Sequence, residues 1–242
     1  MLWPTVLLVA AISCPTRWTR EFCNAYKVFF STRKPSAHRV LVDVGAAFGH
    51  EISVARSYGD AAIGIECRSD EFHRLERRFA ADRNVLMVHA CAGNTSGLAQ
   101  LWSAQDSSSL IKEDLQKVMY KARREPKPVE YVPRVLVDDI VATLNIGVGF
   151  IKCDVQGYEE QVLAGAVRTI RQFHPHLLYE ASPSWGSDGV GLLRNAVGPH
   201  IASRYNCSRM EDQVFCTWNG GPGRTPRGLS TWASAISPDR EG

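Results

Sequence analysis

From residue 38 onward, short runs rich in β-branched residues alternate along the chain with amphipathic segments. Several of these runs are almost continuously apolar, which is typical of strands buried on both faces of a parallel sheet. The alternation predicts an α/β fold, with a doubly wound, mostly parallel sheet and helices on both of its faces. The predicted strands cover residues 39–44, 61–66, 85–92, 149–155 and 176–180.

The segments between these runs have the periodicity of helices that bury one face. The predicted helices cover residues 50–58, 69–82, 137–145, 158–173 and 190–196, and Ser69 is the expected N-cap of the second. Two later runs, residues 201–207 and 214–218, predict a closing antiparallel hairpin. Residues 112–128 carry six basic and three acidic side chains, so we expect a solvated excursion or, as a second reading, a substrate lid.

The length of 242 residues fits one domain with modest extensions. We assign residues 38–218 to that domain, residues 1–37 to an N-terminal apolar helix or extension, and residues 219–242 to a disordered tail. The tail has five glycines and three prolines among 24 residues and little to bury. A net charge of +3, from 28 basic and 25 acidic side chains, argues against a nucleic-acid or anionic-membrane partner.

Residues 2–12 form an apolar stretch of 11 residues, well short of the roughly 20 that span a bilayer. The first basic residue, Arg17, follows this stretch, whereas a signal peptide carries its basic residues before it. We therefore expect no stable membrane span. A packing helix, or a start codon placed within a longer gene, is favoured over a targeting signal.

The cysteines are seven, with no C-x-x-C pair and no histidine at the spacing of a zinc finger. This scatter predicts neither a zinc site nor a disulfide framework. Reduced, buried thiols are expected instead, and with them a cytoplasmic location. The cysteines stand at positions 14, 23, 67, 91, 153, 207 and 216.

A glycine turn follows the first predicted strand, in the sequence DVGAAFG. Gly45 can adopt a positive φ, the small Ala46 lets a ligand approach the backbone, and Gly49 lets the next helix pack closely. The glycines lack the G-x-G-x-x-G spacing that holds a dinucleotide pyrophosphate. The turn therefore suits a cofactor without phosphates, with Asp43 before it orienting the cofactor or satisfying the loop's backbone donors.

An acidic residue, Glu66, ends the second strand 21 positions after Gly45. A carboxylate at about this offset is placed to accept hydrogen bonds from ribose hydroxyls. The alternative is a surface carboxylate before a helix. Cys67 belongs to the same predicted site, and the small Ala92 after the third strand leaves room for an adenine ring.

Charged side chains are densest at the end of the fourth strand. Lys152 and Asp154 alternate with apolar residues, so both point to one side of the strand, and burying them is costly unless they pair or meet a ligand. Glu180 ends the fifth strand on the same rim. The alternative for Lys152 and Asp154 is a structural ion pair, and for Glu159 and Glu160 a favourable contact with a helix dipole.

Four segments, residues 42–49, 64–75, 150–166 and 174–183, resemble the FkbM-type family of S-adenosylmethionine-dependent methyltransferases. The likeness covers roughly residues 38–183. Its most specific part is the family signature K-x-D-x-E-G-x-E-x-x-V-L-x-G-A. The matching residues are Lys152, Asp154, Gly157, Glu159, Val162, Leu163, Gly165 and Ala166.

The resemblance implies a Rossmann-like fold of the class I methyltransferase type, S-adenosyl-L-methionine as cofactor, and O-methylation of a hydroxyl on a small molecule or glycan. Asp154 is then the candidate base, Lys152 tunes it, and Glu180 contacts substrate. Gln156 departs from the family's glutamate and is expected to orient the acceptor. No metal is expected. The alternatives are a non-catalytic module that binds ligand or partner and, less favoured, a nicotinamide-dependent oxidoreductase.

Overall fold

The computed structural model describes residues 20–32, 39–104, 107–112, 125–181 and 189–219. The predicted tail and the apolar stretch at residues 2–12 lie outside these ranges, except for Asn219. The strands are β1 (Val40–Val44), β2 (Ala61–Glu66), β3 (Val85–His89), β4 (Cys91–Ala92), β5 (Gly97–Ala104), β6 (Ser107–Ser109), β7 (Lys127–Val135), β8 (Phe150–Cys153), β9 (His176–Glu180), β10 (Tyr205–Met210) and β11 (Gln213–Trp218). The helices are α1 (Arg20–Thr32), α2 (His50–Ser57), α3 (Ser69–Phe79), α4 (Val137–Leu144), α5 (Glu159–Ala164), α6 (Val167–Phe173), α7 (Gly189–Val197) and α8 (Pro199–Ala202).

A seven-stranded sheet, which we call the large sheet, has the order β10-β11-β9-β8-β1-β2-β3. Strands β3, β2, β1, β8 and β9 pair in parallel, and β11 runs antiparallel to both β9 and β10. The order reverses between β1 and β8, which makes this pair the topological switch point. The predicted doubly wound, mostly parallel sheet and its C-terminal antiparallel hairpin are confirmed.

A second, four-stranded sheet, which we call the small sheet, has the order β4-β7-β5-β6 and was not predicted. The run at residues 85–92 is therefore not one strand, because the chain leaves β3 at Ala90 and its next two residues pair with β7. Part of the predicted solvated excursion also belongs here, since β7 begins at Lys127. Residues 113–124 of that excursion lie outside the described residues.

Two helix predictions were wrong in detail. The predicted helix at residues 158–173 is two helices, because α5 ends before its C-cap residue, Gly165, and α6 begins at Val167. Ser69 is not a side-chain cap: the N-cap position of α3 is Arg68, and the Ser69 hydroxyl instead donates a hydrogen bond to Glu130 of the small sheet.

The core fills both faces of the large sheet. One face packs against α1, where Phe22, Tyr26 and Phe29 contact the ring of Phe150 from β8. The opposite face packs against α4 to α7. Of the helices within the described residues, none is long and apolar enough to cross a membrane.

Two disulfides join pairs of described cysteines and Cys23 is also disulfide-bonded, so the prediction of reduced thiols is wrong for five of the six cysteines among the described residues. Cys67 pairs with Cys91, and Cys207 pairs with Cys216. Sequence spacing could not reveal either pair, because both depend on strand register. Cys207 lies directly opposite Cys216 in the β10–β11 hairpin, with their Cα atoms 4.0 Å apart. Cys153, by contrast, is the buried free thiol that was expected.

Candidate active site

A cavity of about 330 Å³ lies beyond the carboxyl ends of β1, β2 and β8, at the switch point of the large sheet. Ligands of open α/β sheets bind at this position. The large sheet contributes Gly45, Glu66 and Asp154 to the wall, and the small sheet contributes Leu101 and Ser108. The cavity is therefore enclosed between two separate sheets.

The glycine turn forms one end of the cavity. Gly45 has a φ of 76°, and a Cβ atom there would lie 1.9 Å from the backbone oxygen of Asp154, so only glycine fits. Its amide and that of Ala46 both donate to the carbonyl of Ile65 in β2. Gly49 also has a positive φ and packs against α3, so Ala46 and Gly49 hold the turn in place from behind.

Glu66 is fixed at the cavity wall by two backbone amides. Its Oε2 accepts a hydrogen bond from the Ala47 amide and its Oε1 from the Arg68 amide, each at 2.9 Å. A carboxylate has about four acceptor positions, so two remain for hydroxyl donors of a ligand. Because the side chain is already held, a ligand that binds it pays little to order it.

A buried cation, Lys152 of β8, contacts the end of β1. Its Nζ donates to the carbonyl of Gly45 at 3.0 Å and lies 3.4 Å from Asp43 Oδ1 and 3.8 Å from Asp154 Oδ2. Burial alone lowers the pKa of Lys152, but the carboxylates of Asp43, Glu51 and Asp154 outweigh it and hold that pKa above its ordinary value. Lys152 is therefore a fixed positive charge in the wall of the cavity.

Asp43 lies fully buried behind the turn, where it serves Lys152 rather than the cavity wall. Burial raises the pKa of Asp43 to about 7, against the opposing effect of Lys152. Asp43 is not among the residues that line the cavity, and its described contact is with Lys152, so its role toward a cofactor stays a prediction.

Three polar side chains meet at the other end of the cavity. The amide nitrogen of Gln156 donates to Asp154 Oδ1 and to Glu180 Oε2, each at 3.0 Å. Below them, Glu159 accepts hydrogen bonds from the amides of Val155 and Gly157, and burial raises the pKa of Glu159 to about 8. Asp154, Glu159 and Glu180 offer carboxylate oxygens within 4.8 Å of one another and, among the described residues, could hold a metal ion.

The small sheet is joined to the large one by polar contacts beside the cavity. The backbone amide and hydroxyl of Ser69 both donate to Glu130 of β7, and His89 Nε2 lies 3.2 Å from the Ser69 hydroxyl. The Cys67–Cys91 disulfide joins the end of β2 to β4 and lines the same wall. Cys67 and Ala92 are thus at the cavity, as their predicted roles require.

The structure brings together most of the residues that the sequence singled out. Gly45, Glu66, Lys152, Asp154 and Gln156 line one cavity. Glu180 reaches the same group through Gln156. Sequence reasoning missed other lining residues. Those next to the known motifs in the sequence could have been found from that position. Those of the small sheet had no local sequence signal. The missed residues include Phe48, His50, Glu51, Tyr158, Leu101, Ser108 and Ser109.

A comparison with protein-family models identifies the family of this chain. The family model described as Methyltransferase FkbM domain matches residues 43–209. No curated protein matches the sequence. Among solved structures, methyltransferase FkbM from Methylobacillus flagellatus is similar, with 17% identity and a TM-score of 0.48, over 77% of this chain and 45% of that one. The chain thus spans less than half the length of that structure.

Two further solved structures are similar at lower TM-scores. Precorrin-6y C5,15-methyltransferase from Geobacter metallireducens has 12% identity and a TM-score of 0.39, over 78% of this chain and 84% of that one. Aeropyrum pernix fibrillarin, in complex with natively bound S-adenosyl-L-methionine, has 13% identity and a TM-score of 0.39, over 80% and 72%.

Proposed function

The chain belongs to the FkbM methyltransferase family, and from this membership we propose that it transfers the methyl group of S-adenosylmethionine to a hydroxyl oxygen of a small molecule or glycan. The observation that carries the proposal is the single cavity that Glu66 and Asp154 share. One of these carboxylates suits a cofactor's ribose, and the other suits an acceptor's proton.

The residues present fit this cofactor. The Gly45 turn leaves no room for a side chain and so lets a ligand come close to the backbone, and it lacks the spacing that holds a pyrophosphate. Glu66 has acceptor positions left for two hydroxyl groups. S-adenosylmethionine supplies an activated methyl group on a positively charged sulfur, so the protein mainly has to align the acceptor oxygen and receive its proton.

Asp154 is the proposed proton acceptor. It lines the cavity together with Lys152, whose Nζ lies 3.8 Å from Asp154 Oδ2. A carboxylate within reach of the acceptor hydroxyl can receive its proton as the methyl group is transferred. Glu180 and Gln156 complete the polar end of the cavity, and Glu180 is proposed to contact the acceptor. We propose no metal for the reaction of this chain.

Two alternative functions make different predictions from methyl transfer. A module that binds ligand without turnover would keep the cofactor site and lose the chemistry, and Gln156 in place of the family's glutamate is the observation in its favour. A nicotinamide-dependent oxidoreductase is disfavoured by the missing glycine spacing. The near-balanced charge of the chain supports a small acceptor over a nucleic acid.

The cellular compartment also bears on the acceptor. A cytoplasmic location was expected from reduced thiols, and the two disulfides remove that support, because disulfides persist mainly in oxidising compartments. The disulfides therefore favour a compartment in which acceptors such as exported glycans occur.

The first test is binding. Isothermal calorimetry of the whole chain with S-adenosylhomocysteine and with NADH is expected to give binding for the first only. In the Asp154→Asn variant, S-adenosylhomocysteine affinity should stay within about twofold, since Asp154 is placed on the acceptor side. Binding of NADH alone would contradict the proposal.

The second test is turnover. Release of S-adenosylhomocysteine is measured against a panel of hydroxyl, amine and thiol acceptors, with Asp154→Asn alongside. A hydroxyl acceptor is expected to react, and the variant is expected to be slower by about 10² to 10⁴, the range of general-base catalysis. Cofactor binding with no turnover on any acceptor would favour the non-catalytic module, and turnover on amines alone would exclude O-methylation.

A further inference from the structure

We propose that Gln156 is a positioning residue whose amide nitrogen takes the place of a cation between Asp154 and Glu180 and thereby aims the Asp154 carboxylate. The inference rests on the proposed function, because Asp154 matters as a proton acceptor. It differs from the expected role of Gln156 in orienting the acceptor, since both hydrogens of its amide nitrogen are directed at protein carboxylates.

The two hydrogen bonds are the first observation. The nitrogen lies 3.0 Å from Asp154 Oδ1 and 3.0 Å from Glu180 Oε2. A primary amide has two hydrogens on its nitrogen, and this arrangement uses one for each carboxylate. The reverse orientation would direct the amide oxygen at two carboxylate oxygens. All three atoms are hydrogen-bond acceptors, so no hydrogen bond would form.

The backbone is the second observation. Gln156 has a φ of 58°, in the left-handed region that residues with a Cβ rarely adopt, and Gly157 follows with a φ of 100°. Such conformations persist where the surrounding contacts fix them, and they concentrate at functional sites. Here the unusual turn is what brings the side chain back over the end of β8.

Charge balance is the third observation. Lys152 approaches Asp154 on Oδ2, and Gln156 holds the other oxygen, Oδ1. The carboxylate is therefore held on both sides, by an ammonium below and by an amide beside it. Lys152 also lies 3.4 Å from Asp43 Oδ1, whereas the Gln156 amide nitrogen is within hydrogen-bond distance of both Asp154 and Glu180.

The geometry has a consequence for metal binding. Oxygen ligands from Asp154, Glu159 and Glu180 already lie within 4.8 Å of one another, and divalent cations of the magnesium and calcium type favour several such oxygens. In the parent protein the amide occupies the position between two of them. Replacing the amide nitrogen by an oxygen, as in Gln156→Glu, would remove the donors and add a ligand, so the substitution should create a cation site.

The test compares Mn²⁺ binding, followed by electron paramagnetic resonance, in the whole parent chain, Gln156→Glu and Gln161→Glu. Gln161 lies five positions further along, in α5, and gives the same change of charge as a matched control. Gln156→Glu is expected to bind Mn²⁺ at least about tenfold more tightly than the parent, and Gln161→Glu to match the parent. Equal Mn²⁺ affinity in the parent and Gln156→Glu would overturn the proposal.

A second readout tests positioning itself. Gln156→Met has a side chain of similar length without donors, so it should lower kcat at least about tenfold while S-adenosylhomocysteine affinity stays unchanged. Unchanged kcat in this variant would also overturn the proposal. Calorimetry with S-adenosylhomocysteine on the parent separates the two ideas: failure there would count against the proposed function, whereas the Mn²⁺ result decides the role of Gln156 on its own.

Discussion

The large and small sheets wall the same cavity, but they are built differently. Every residue of β1 in the large sheet is buried, whereas β5 and β7 of the small sheet expose Leu98 at 73% and Tyr131 at 70%. The large sheet is therefore held by apolar burial on both faces. Among the described residues, the small sheet leaves apolar side chains on one face exposed and is joined to the rest of the protein by specific contacts.

Three of these connections lie close to the cavity. Strand β4 leads directly out of β3, the Cys67–Cys91 disulfide ties it to the end of β2, and Glu130 holds the start of α3 through Ser69. The large sheet therefore forms a stable floor of the cavity, and the small sheet forms a separately attached cover. Substitutions at the junction, in the floor and in the cover should have different effects.

The largest effect is expected at the junction of the two parts. A Cβ atom on Gly165, at the end of α5, would lie 1.9 Å from the carbonyl oxygen of Gly93, between β4 and β5. Because that neighbour is backbone, Gly165→Ala should lower the free energy of unfolding by about 3 kcal/mol, the upper end for over-packing. Denaturant unfolding followed by circular dichroism measures it.

The matched control makes the same change on the facing residue. A Cβ on Gly93 meets the flexible side chain of Arg134 at 3.0 Å and Tyr158 at 3.1 Å, so Gly93→Ala should cost only about 1 kcal/mol. Equal losses in Gly165→Ala and Gly93→Ala would mean that the junction is not a rigid backbone contact.

The next effect tests the floor of the cavity. Glu66→Ala should weaken S-adenosylhomocysteine binding by about 1.5 to 3 kcal/mol, roughly ten- to hundredfold, because hydrogen bonds to a charged acceptor are lost. The alanine also releases the Ala47 and Arg68 amides, so Glu66→Gln, which keeps one acceptor oxygen, separates ligand contact from loop order. Calorimetry that shows parent-like affinity in Glu66→Ala would remove this residue from the site.

The third prediction concerns pH and the far side of the large sheet. Burial among the rings of Phe29, Phe150 and Phe215 lowers the pKa of His176 to about 4, below its ordinary value near 6.5. The unfolded chain therefore binds a proton that the folded chain does not, and stability is lost as the pH falls from about 6.5 towards 4.

His176→Phe should abolish that part of the acid sensitivity, worth about 1 to 2 kcal/mol at pH 5. The measurement is the free energy of unfolding of both proteins at pH 7.5 and pH 5, with the value at pH 7.5 correcting for altered packing. Parallel losses in parent and variant would show that His176 does not titrate in this range.

The smallest effect is expected for the cover. Replacing Cys67 and Cys91 together by serine should weaken S-adenosylhomocysteine binding by less than about tenfold, about 1.4 kcal/mol, because strand pairing and the contact between Ser69 and Glu130 still hold the small sheet. The Cys207 and Cys216 pair, changed in the same way, lies outside the cavity and should leave binding unchanged. Equal effects of the two double variants on binding would show that the Cys67–Cys91 disulfide has no specific role at the site.

The sequence predicted the large sheet well and the small sheet not at all, for a physical reason. Strands β2 and β9 were found to the residue because burial on both faces makes their apolar runs continuous. Strands β5 and β7 mix exposed apolar and polar residues, with prolines at 128 and 133, so neither a continuous run nor a strict alternation appears.

The candidate site divides in the same way. Gly45, Glu66, Lys152 and Asp154 could be found because the carboxyl ends of parallel strands share one edge of a sheet. The contact of Gln156 with Asp154 and Glu180 could not, since it depends on a left-handed backbone at a residue that is not glycine. The disulfide pairs could not be predicted either, because they depend on which strands lie next to each other.

Because both sheets line the cavity, a ligand that contacts both of them would be released when the small sheet opens, and bound ligand is expected to protect the chain from proteolysis. At a free ligand concentration 100 times its Kd, this linkage adds about 2.7 kcal/mol to any opening that empties the site. Cleavage of β5 and β7 by a protease that acts on the opened form would slow by roughly a hundredfold. Degradation of the chain would then rise whenever its cofactor ran short.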